Sequence, residues 1–230
     1  MNLFYIPTIS PESVRVTLSE EESKHACRVL RLKSKDLITL LDGVGGTYLA
    51  EIDDANPKHC TVVILKYDFE PKSLKNIHIA IAPTKNIDRI EWFLEKTTEL
   101  GIDEITLLLC KNSERKQIKE DRLEKILVSA MKQSKRTHLP KLNTLIPFKE
   151  FIKKHPHAAL AHCFENDKTT LQDVFRTNDY PILIGPEGDF SLYEIETAQK
   201  AGYDFVTLGK NRLRTETAGL YACMQCLLIN

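Results

Sequence analysis

The sequence predicts an α/β protein in which a small, strand-rich domain precedes a larger domain built on a mostly parallel sheet. Residues 1–70 contain short runs of Val, Ile, Leu and Thr separated by turn residues, a pattern typical of strands. Beyond residue 74, strand and helix patterns alternate, which predicts a mostly parallel sheet with helices on both faces. A polar, proline-containing joint at 69–73 gives the expected boundary, with domains over 1–70 and 74–230.

Four strands and one helix are predicted in the N-terminal domain. The strands cover 14–18, 37–41, 47–52 and 60–65. Residues 42–46 read Asp-Gly-Val-Gly-Gly and predict a hairpin turn, since a dinucleotide-binding loop would need a helix after its glycines. The helix begins after the N-cap Ser19, has Glu22 in the capping-box position, and runs to about Leu32. A small barrel with one helix fits this pattern.

The C-terminal domain shows five strand patterns, at 77–82, 104–109, 157–163, 181–184 and 205–208. Apolar residues at helical spacing predict helices at 87–100, ended by Gly101, and at 121–134. Further helices are expected after the strands at 157–163 and 181–184. An apolar helix that Thr215 can cap runs to the C-terminus.

The composition is that of an ordinary soluble globular protein, with 230 residues of which 42% are hydrophobic and 28% charged. No apolar run reaches the length of a membrane span, and the first ten residues lack a basic segment followed by an apolar one. We therefore expect a cytoplasmic protein. The six cysteines are irregularly spaced, and the pair Cys223 and Cys226 is expected to be buried rather than to bind a metal.

The formal net charge is zero, but the basic residues are clustered. Residues 24–35 contain five Lys or Arg and no acid, and residues 111–141 contain ten Lys or Arg against four acids. Two basic patches on a neutral protein suit a phosphate-backbone partner, and solvated helix faces are the alternative.

Two glycine-containing segments follow predicted strands, where open α/β sheets bind ligands. Residues 185–191 read Gly-Pro-Glu-Gly-Asp-Phe-Ser, and Ser191 with Glu194 forms a capping box for the next helix. The acids in this loop favour a ligand with hydroxyls and an ammonium over a triphosphate. Residues 208–218 read Leu-Gly-Lys-Asn-Arg-Leu-Arg-Thr-Glu-Thr-Ala and form a second ligand-facing turn. A plain strand–helix turn and a structural Arg are the alternatives.

These two segments resemble the 16S ribosomal RNA uridine-N3 methyltransferase family, which belongs to the knotted SPOUT methyltransferases. The N-terminal signature His25…Val29-Leu30-Arg31-Leu32 is similar too, and residues 96–101, Lys-Thr-Thr-Glu-Leu-Gly, resemble the family's Lys-Ala-Thr-Glu-Leu-Gly. Residues 113–115 and 133–140 occupy the places of similar basic motifs. The motifs occur in the family's order along nearly the whole chain.

The resemblance implies a PUA-like N-terminal barrel that helps to bind RNA and a SPOUT domain with a deep trefoil knot. It also implies a homodimer, 16S rRNA in the small ribosomal subunit as partner, and S-adenosylmethionine (SAM) as cofactor, held by loops of the knot. The loop after the strand at 157–163 would form one wall. The other implied cofactor-binding residues are Gly185, Pro186, Glu187, Gly188, Leu208, Gly209, Leu213 and Thr215.

The chain departs from the family pattern in both cofactor loops. Asp189 replaces a usual Gly, and residues 210–212, Lys-Asn-Arg, replace a typical Pro-Arg-Ile. The family's Arg is therefore missing at Asn211, and Arg212 can supply its charge from the neighbouring position.

Arg214 and Glu216 are the predicted catalytic residues. Arg214 would stabilise negative charge on the uracil carbonyl oxygens after N3 loses its proton, and Glu216 would orient Arg214 or, less favoured, accept the proton. The predicted RNA-binding residues are Arg115 and Arg136 near the target, and Arg28, Arg31 and Lys33 further away. A SPOUT ribose 2′-O-methyltransferase and a non-catalytic ribosome-assembly protein remain as alternatives.

Overall fold

The computed structural model of the protein describes residues 2–164, 167–175 and 180–229. The chain folds into two compact units. The first comprises Met1–Lys72 together with Met131–Leu139, and the second comprises Ser73–Ala130 together with Pro140–Asn230. The sequence expectation placed residues 131–139 in the C-terminal domain, because linear order cannot show that a segment packs back on an earlier unit.

The first unit contains a five-stranded sheet in the order β1-β3-β4-β5-β2. Its strands are β1 (Leu3–Tyr5), β2 (Arg15–Thr17), β3 (Leu37–Leu41), β4 (Gly46–Asp54) and β5 (Thr61–Phe69). β1 pairs parallel with β3, and the other pairs are antiparallel. The predicted hairpin turn between β3 and β4 is confirmed, and the Asp42 carboxylate accepts the backbone N–H groups of Val44 and Gly46 at 2.8 Å each. β1 was missed because three residues give too short a pattern.

The predicted helix of the first unit is shorter than expected. Helix α1 (Glu20–Lys24) begins after Ser19, whose hydroxyl accepts the Glu22 N–H, while the Glu22 carboxylate pairs with Lys132 at 2.7 Å. A π-helical turn follows over His25–Val29. Arg31 then adopts a left-handed φ of 56°, so the predicted extension to Leu32 is wrong.

The second unit contains a seven-stranded sheet in the order β10-β12-β9-β11-β6-β7-β8, in which every pairing is parallel. Its strands are β6 (His78–Ile81), β7 (Glu104–Leu109), β8 (Lys141–Pro147), β9 (Ala159–Ala161), β10 (Thr169–Thr170), β11 (Ile182–Ile184) and β12 (Asp204–Thr207). β11 is buried between β6 and β9, as its unbroken apolar run predicts. The edge strands β8 and β10 are not predicted from the sequence.

In the part of the chain that the structure describes, six helices accompany this sheet: α2 (Ile87–Leu100), α3 (Glu120–Ser134), α4 (Phe148–Lys154), α5 (Leu171–Val174), α6 (Leu192–Lys200) and α7 (Thr215–Leu228). α7 packs against α2, β6 and β11. Because parallel strands end at one edge, the loops after β6, β9, β11 and β12 are gathered there. Within the described ranges, no helix is long and apolar enough to cross a membrane.

Candidate functional site

A cavity of about 550 Å³ lies at the carboxyl ends of β9, β11 and β12, within the second unit. Its walls come from the loops that follow these three strands, and Arg89 of α2 contributes from a neighbouring helix. Seven of the eight predicted cofactor-binding residues line it: Gly185, Pro186, Glu187, Leu208, Gly209, Leu213 and Thr215. The structure thus brings together the two segments that the sequence places about 20 residues apart.

The loop after β11 is held by contacts on both of its sides. A Cβ at Gly185 would lie 3.0 Å from the Phe190 ring, so any larger residue here would require that ring to shift by a few tenths of an ångström. The predicted capping box of Ser191 and Glu194 is present at the start of α6. The eighth predicted residue, Gly188, lies outside the cavity lining and accepts a hydrogen bond from the Asn112 side chain through its carbonyl at 3.1 Å.

The conformation and contacts of Asp189 account for its presence where the family usually has a glycine. Its φ of 60° is left-handed, a conformation that Gly favours and that Asp tolerates better than most residues. One carboxylate oxygen accepts the N–H of Cys163 at 2.8 Å, and the other accepts the N–H of Phe190 at 2.7 Å. The substitution therefore keeps the turn and adds a tie between the loop after β11 and the loop after β9.

The third wall is centred on His162, which sequence reasoning did not single out. Its ring is 8% exposed, and its Nδ1 accepts the N–H of Phe164 at 3.2 Å. Burial, assisted by the nearby Lys168 ammonium, lowers the pKa of His162 to about 4. The neutral ring that results carries its proton on Nε2, because Nδ1 is an acceptor. The Lys168 ammonium donates to the carbonyls of His162 and Phe164 and fixes the same turn.

The loop after β12 leads into α7 and contacts the loop after β11. The Thr215 hydroxyl donates to the Gly185 carbonyl at 3.1 Å, and Arg214 occupies the N-cap position of α7. The prediction that Thr215 caps this helix is therefore wrong: Thr215 joins the two predicted cofactor loops instead. The Arg212 guanidinium donates to the Glu187 carbonyl at 3.3 Å, which makes a second link between them.

The two predicted catalytic residues have different surroundings. Arg214 is exposed and lines the cavity. Glu216 is 7% exposed and is not part of the lining, and one of its carboxylate oxygens lies 3.8 Å from Nε of Arg89. Sequence reasoning paired Glu216 with Arg214, whereas the structure pairs it with Arg89. Arg89 in α2 and Glu216 in α7 are 127 positions apart in the chain, so no local sequence pattern indicates this pairing.

The predicted RNA-binding residues fall into two groups. Arg28, Arg31 and Lys33 are exposed on the first unit, on and after the π-helical turn, and Arg136 belongs to that unit as well. Arg115 belongs to the second unit and is half-buried, and its guanidinium donates to the carbonyls of Thr84 and Lys85.

The burial predicted for the cysteine pair is confirmed. Cys223 and Cys226 are fully buried in α7, and burial raises the pKa of the Cys226 thiol to about 12. Across the residues that the structure describes, no group of three or more His, Cys, Asp or Glu side chains is arranged to hold a metal ion.

Two family models match the chain, one in each of the two predicted domains. A family model for an RNA methyltransferase domain matches residues 70–226, and one for an RNA methyltransferase PUA domain matches residues 18–65. The ribosomal RNA small subunit methyltransferase E of Mesomycoplasma hyopneumoniae is 30% identical, over 87% of this chain and 88% of its own length.

Two solved structures share the fold over nearly the whole chain. A probable rRNA-methyltransferase from Porphyromonas gingivalis has a TM-score of 0.89 at 41% identity, with 100% of this chain and 98% of that chain covered. A ribosomal RNA small subunit methyltransferase E from Neisseria gonorrhoeae, bound to S-adenosyl methionine, has a TM-score of 0.84 at 29% identity, with 99% and 98% covered. The predicted fold class, a SPOUT-type parallel-sheet domain after a PUA-like domain, is confirmed. The chain belongs to the family of RNA methyltransferases that includes the ribosomal RNA small subunit methyltransferase E enzymes.

Proposed function

We propose that this protein transfers the methyl group of SAM to N3 of a uridine in the 16S rRNA of the small ribosomal subunit. The proposal rests on the cavity at the carboxyl ends of β9, β11 and β12. Residues of both family motifs line this one cavity. The relative from Neisseria gonorrhoeae, which is bound to SAM, supports the choice of cofactor.

The cavity residues fit SAM in size and chemistry. Its volume of about 550 Å³ lies in the range of about 300–1,000 Å³ that is usual for sites of small ligands. The turns at Gly185 and Gly209 leave backbone groups accessible to hydroxyls and ring nitrogens of a ligand. The Glu187 carboxylate at the wall adds a negative charge suited to an ammonium or a sulfonium. The residues that would hold the cofactor are Gly185, Pro186, Glu187, Leu208, Gly209, Leu213 and Thr215.

Methylation at N3 requires that the uracil ring lose its N3 proton to water, because the protonated nitrogen is a poor nucleophile. The N3–C bond would then form as the S–C bond to the methyl group breaks, and the sulfur would keep the electron pair as a neutral thioether. When bound, SAM supplies an electrophilic methyl carbon. Arg214 is exposed at the cavity and can donate to the uracil carbonyl oxygens, where the negative charge of the deprotonated ring accumulates. Two donor groups from one guanidinium, paired with both carbonyl oxygens, would also orient the base.

In this proposal, Glu216 acts on the base indirectly, through Arg89. Its carboxylate is buried and lies against Arg89, so it holds that guanidinium rather than reaching the base. Arg89 lines the cavity, and together with Arg214 it makes the local potential favourable for an anionic ring. We assign Glu216 the role of a positioning residue for Arg89.

RNA binding is assigned to the exposed cations of the first unit. We assign phosphate contacts to the exposed cations Arg28, Arg31 and Lys33. Such contacts contribute affinity for RNA without recognising its base sequence. Arg136 belongs to the same unit but is half-buried, and it is kept as a further proposed RNA contact.

A homodimer is part of the proposal and has a matching surface. α7 exposes the apolar or aromatic residues Tyr221, Met224 and Leu228, with exposed fractions of 42%, 42% and 78%. A second copy of this chain would cover them. Light scattering of the purified protein is expected to give twice the mass of the 26.3 kDa chain.

The test is transfer of labelled methyl from SAM to small ribosomal subunits purified from cells that lack this gene, followed by nucleoside analysis. We expect label in 3-methyluridine, and subunits from cells that retain the gene should accept little label because the site is already modified. Label in a 2′-O-methyl nucleoside would move the activity to the ribose. Tight binding of the subunit without any transfer would favour a non-catalytic assembly role.

A further inference from the structure

We propose that Arg115 is a positioning residue for the SAM loop, acting through the segment 84–86, and that it is not an RNA contact. This inference rests on the proposed function, since it assigns Arg115 to the cofactor half of that reaction. Both the family resemblance and the local charge suggested an RNA role, so the contacts of Arg115 decide against the expectation.

The Arg115 guanidinium is directed at the protein backbone. Its Nε donates to the Thr84 carbonyl at 3.0 Å, and its Nη2 donates to the Lys85 carbonyl at 2.5 Å. Two bonds from different nitrogens of a planar group fix both the side chain and the peptide it meets. The side chain is half-buried, in contrast to the exposed Arg28 and Arg31.

The peptide that Arg115 grips is tied to the cavity. The backbone N–H of Lys85 donates to Oε1 of Glu187 at 3.0 Å, and Glu187 lines the cavity. Arg115 therefore holds one side of the Lys85 peptide group while Glu187 is held by the other. The Lys85 ammonium also pairs with Glu114 at 2.8 Å, but both side chains are exposed, so this pair adds little to what Arg115 does.

The same segment sets the start of α2. The Thr84 hydroxyl donates to the Asn86 carbonyl at 2.6 Å, and the Asn86 side chain caps α2 by accepting the N–H of Asp88 at 3.1 Å. Arg89, the cavity residue that Glu216 faces, follows in the first turn of that helix. Loss of Arg115 is thus expected to loosen two parts of the cavity wall at once.

The substitution Arg115→Ala is expected to weaken SAM binding about tenfold, because a bond from a charged donor to a backbone carbonyl typically contributes that much. The affinity for a 16S rRNA fragment is expected to stay within about twofold. The SAM affinity of Arg115→Lys should lie between those of the wild type and Arg115→Ala. An ammonium keeps the charge but cannot donate from two fixed nitrogens as a guanidinium does. The control is Lys116→Ala, which removes the same charge from an exposed neighbour and should leave SAM affinity unchanged.

The experiment combines calorimetric titration of SAM with filter binding of the RNA fragment at fixed salt, and thermal melting verifies that each variant is folded. Glu187→Ala and the double variant Arg115→Ala/Glu187→Ala complete a cycle. In the proposed relay, the double variant binds SAM no more weakly than the worse single one. If Arg115→Ala fails to fold, Arg115→Lys against Glu187→Ala provides the same comparison.

Three results would overturn the inference: unchanged SAM affinity in Arg115→Ala, strictly additive effects in the cycle, or a loss of RNA affinity larger than that of Lys116→Ala. A wild-type protein that does not bind SAM at all would instead refute the proposed function, and the inference with it. The two failures are therefore distinguishable in one set of titrations.

Discussion

The cavity loops of the second unit and the basic segment of the first unit are both rich in charge, yet they use it differently. At the cavity, Asp189 is tied to the Cys163 backbone and Glu187 to the Lys85 backbone, and Arg115, outside the lining, is tied to Thr84. In the basic segment, Arg28 and Lys33 extend into solvent.

This difference follows from what each region would bind. A small ligand with many polar groups is bound best by a wall that is already in place, because ordering loops on binding costs free energy. A polyanion is attracted by cations that need no fixed geometry, and solvated side chains adapt to its backbone.

Arg214→Ala is expected to reduce methyl transfer by about 10²–10³-fold, the usual cost of removing one donor that stabilises developing negative charge. SAM affinity should remain within a few-fold, since Arg214 faces the cavity without holding either cofactor loop. Single-turnover transfer and calorimetric titration measure the two quantities. Arg214→Lys serves as the control for charge, and a parallel loss of SAM binding in the Ala variant would refute this division of roles.

His162 is expected to make the free energy of unfolding depend on pH. Its pKa of about 4 in the folded protein lies below the ordinary 6.5, so only the unfolded chain takes up the proton between these values. The stabilisation is fully present above pH 6.5 and is lost as the pH falls toward 4, by about 3 kcal/mol. In urea unfolding, His162→Asn should show less of this loss. Equal pH profiles for the two proteins would contradict the burial of a neutral ring.

The triple variant Arg28→Ala/Arg31→Ala/Lys33→Ala should weaken RNA binding and lower the salt slope of its affinity by about 2, since each contact to single-stranded phosphate contributes about 0.7. SAM affinity should not change. The control triple Lys153→Ala/Lys154→Ala/Lys200→Ala removes the same charge from exposed sites on the second unit. If both triples lower the slope equally, the binding surface is not the one assigned.

Thr215→Val is expected to destabilise the protein by about 1–2 kcal/mol, because it leaves the buried Gly185 carbonyl without its donor. SAM affinity should fall by a similar free energy, since the two cofactor loops lose a direct link. Thr217→Val, on the exposed side of the same helix, is the matched control. Identical melting temperatures for the two variants would show that the hydroxyl contributes little.

Much of the fold and the positions of the cofactor loops could be predicted because they depend on short-range patterns. The apolar run of β11 shows its central place, and the capping box at Ser191 shows where α6 begins. The hairpin at residues 42–46 follows from its glycines and from an Asp that can accept backbone N–H groups.

The remaining features depend on contacts between residues far apart in the chain. Arg115 and Thr84 are separated by 31 positions, and Thr215 and Gly185 by 30, so neither pairing leaves a local signal. The π-helical turn was also missed, since α1 and its continuation have apolar spacing compatible with a longer α-helix. Local motifs thus predicted most of the residues that line the cavity, whereas the contacts of each side chain depend on residues far away in the chain.

In this proposal, the cavity binds SAM through a wall that is already formed, and the basic segment binds RNA through charge attraction to its phosphates. Measuring both affinities on one preparation at 50 and 200 mM salt separates the two kinds of binding. We expect RNA affinity to fall about 10²-fold for four phosphate contacts, and SAM affinity to change less than about twofold. A SAM affinity that falls as steeply as RNA affinity, or an RNA affinity insensitive to salt, would contradict the account.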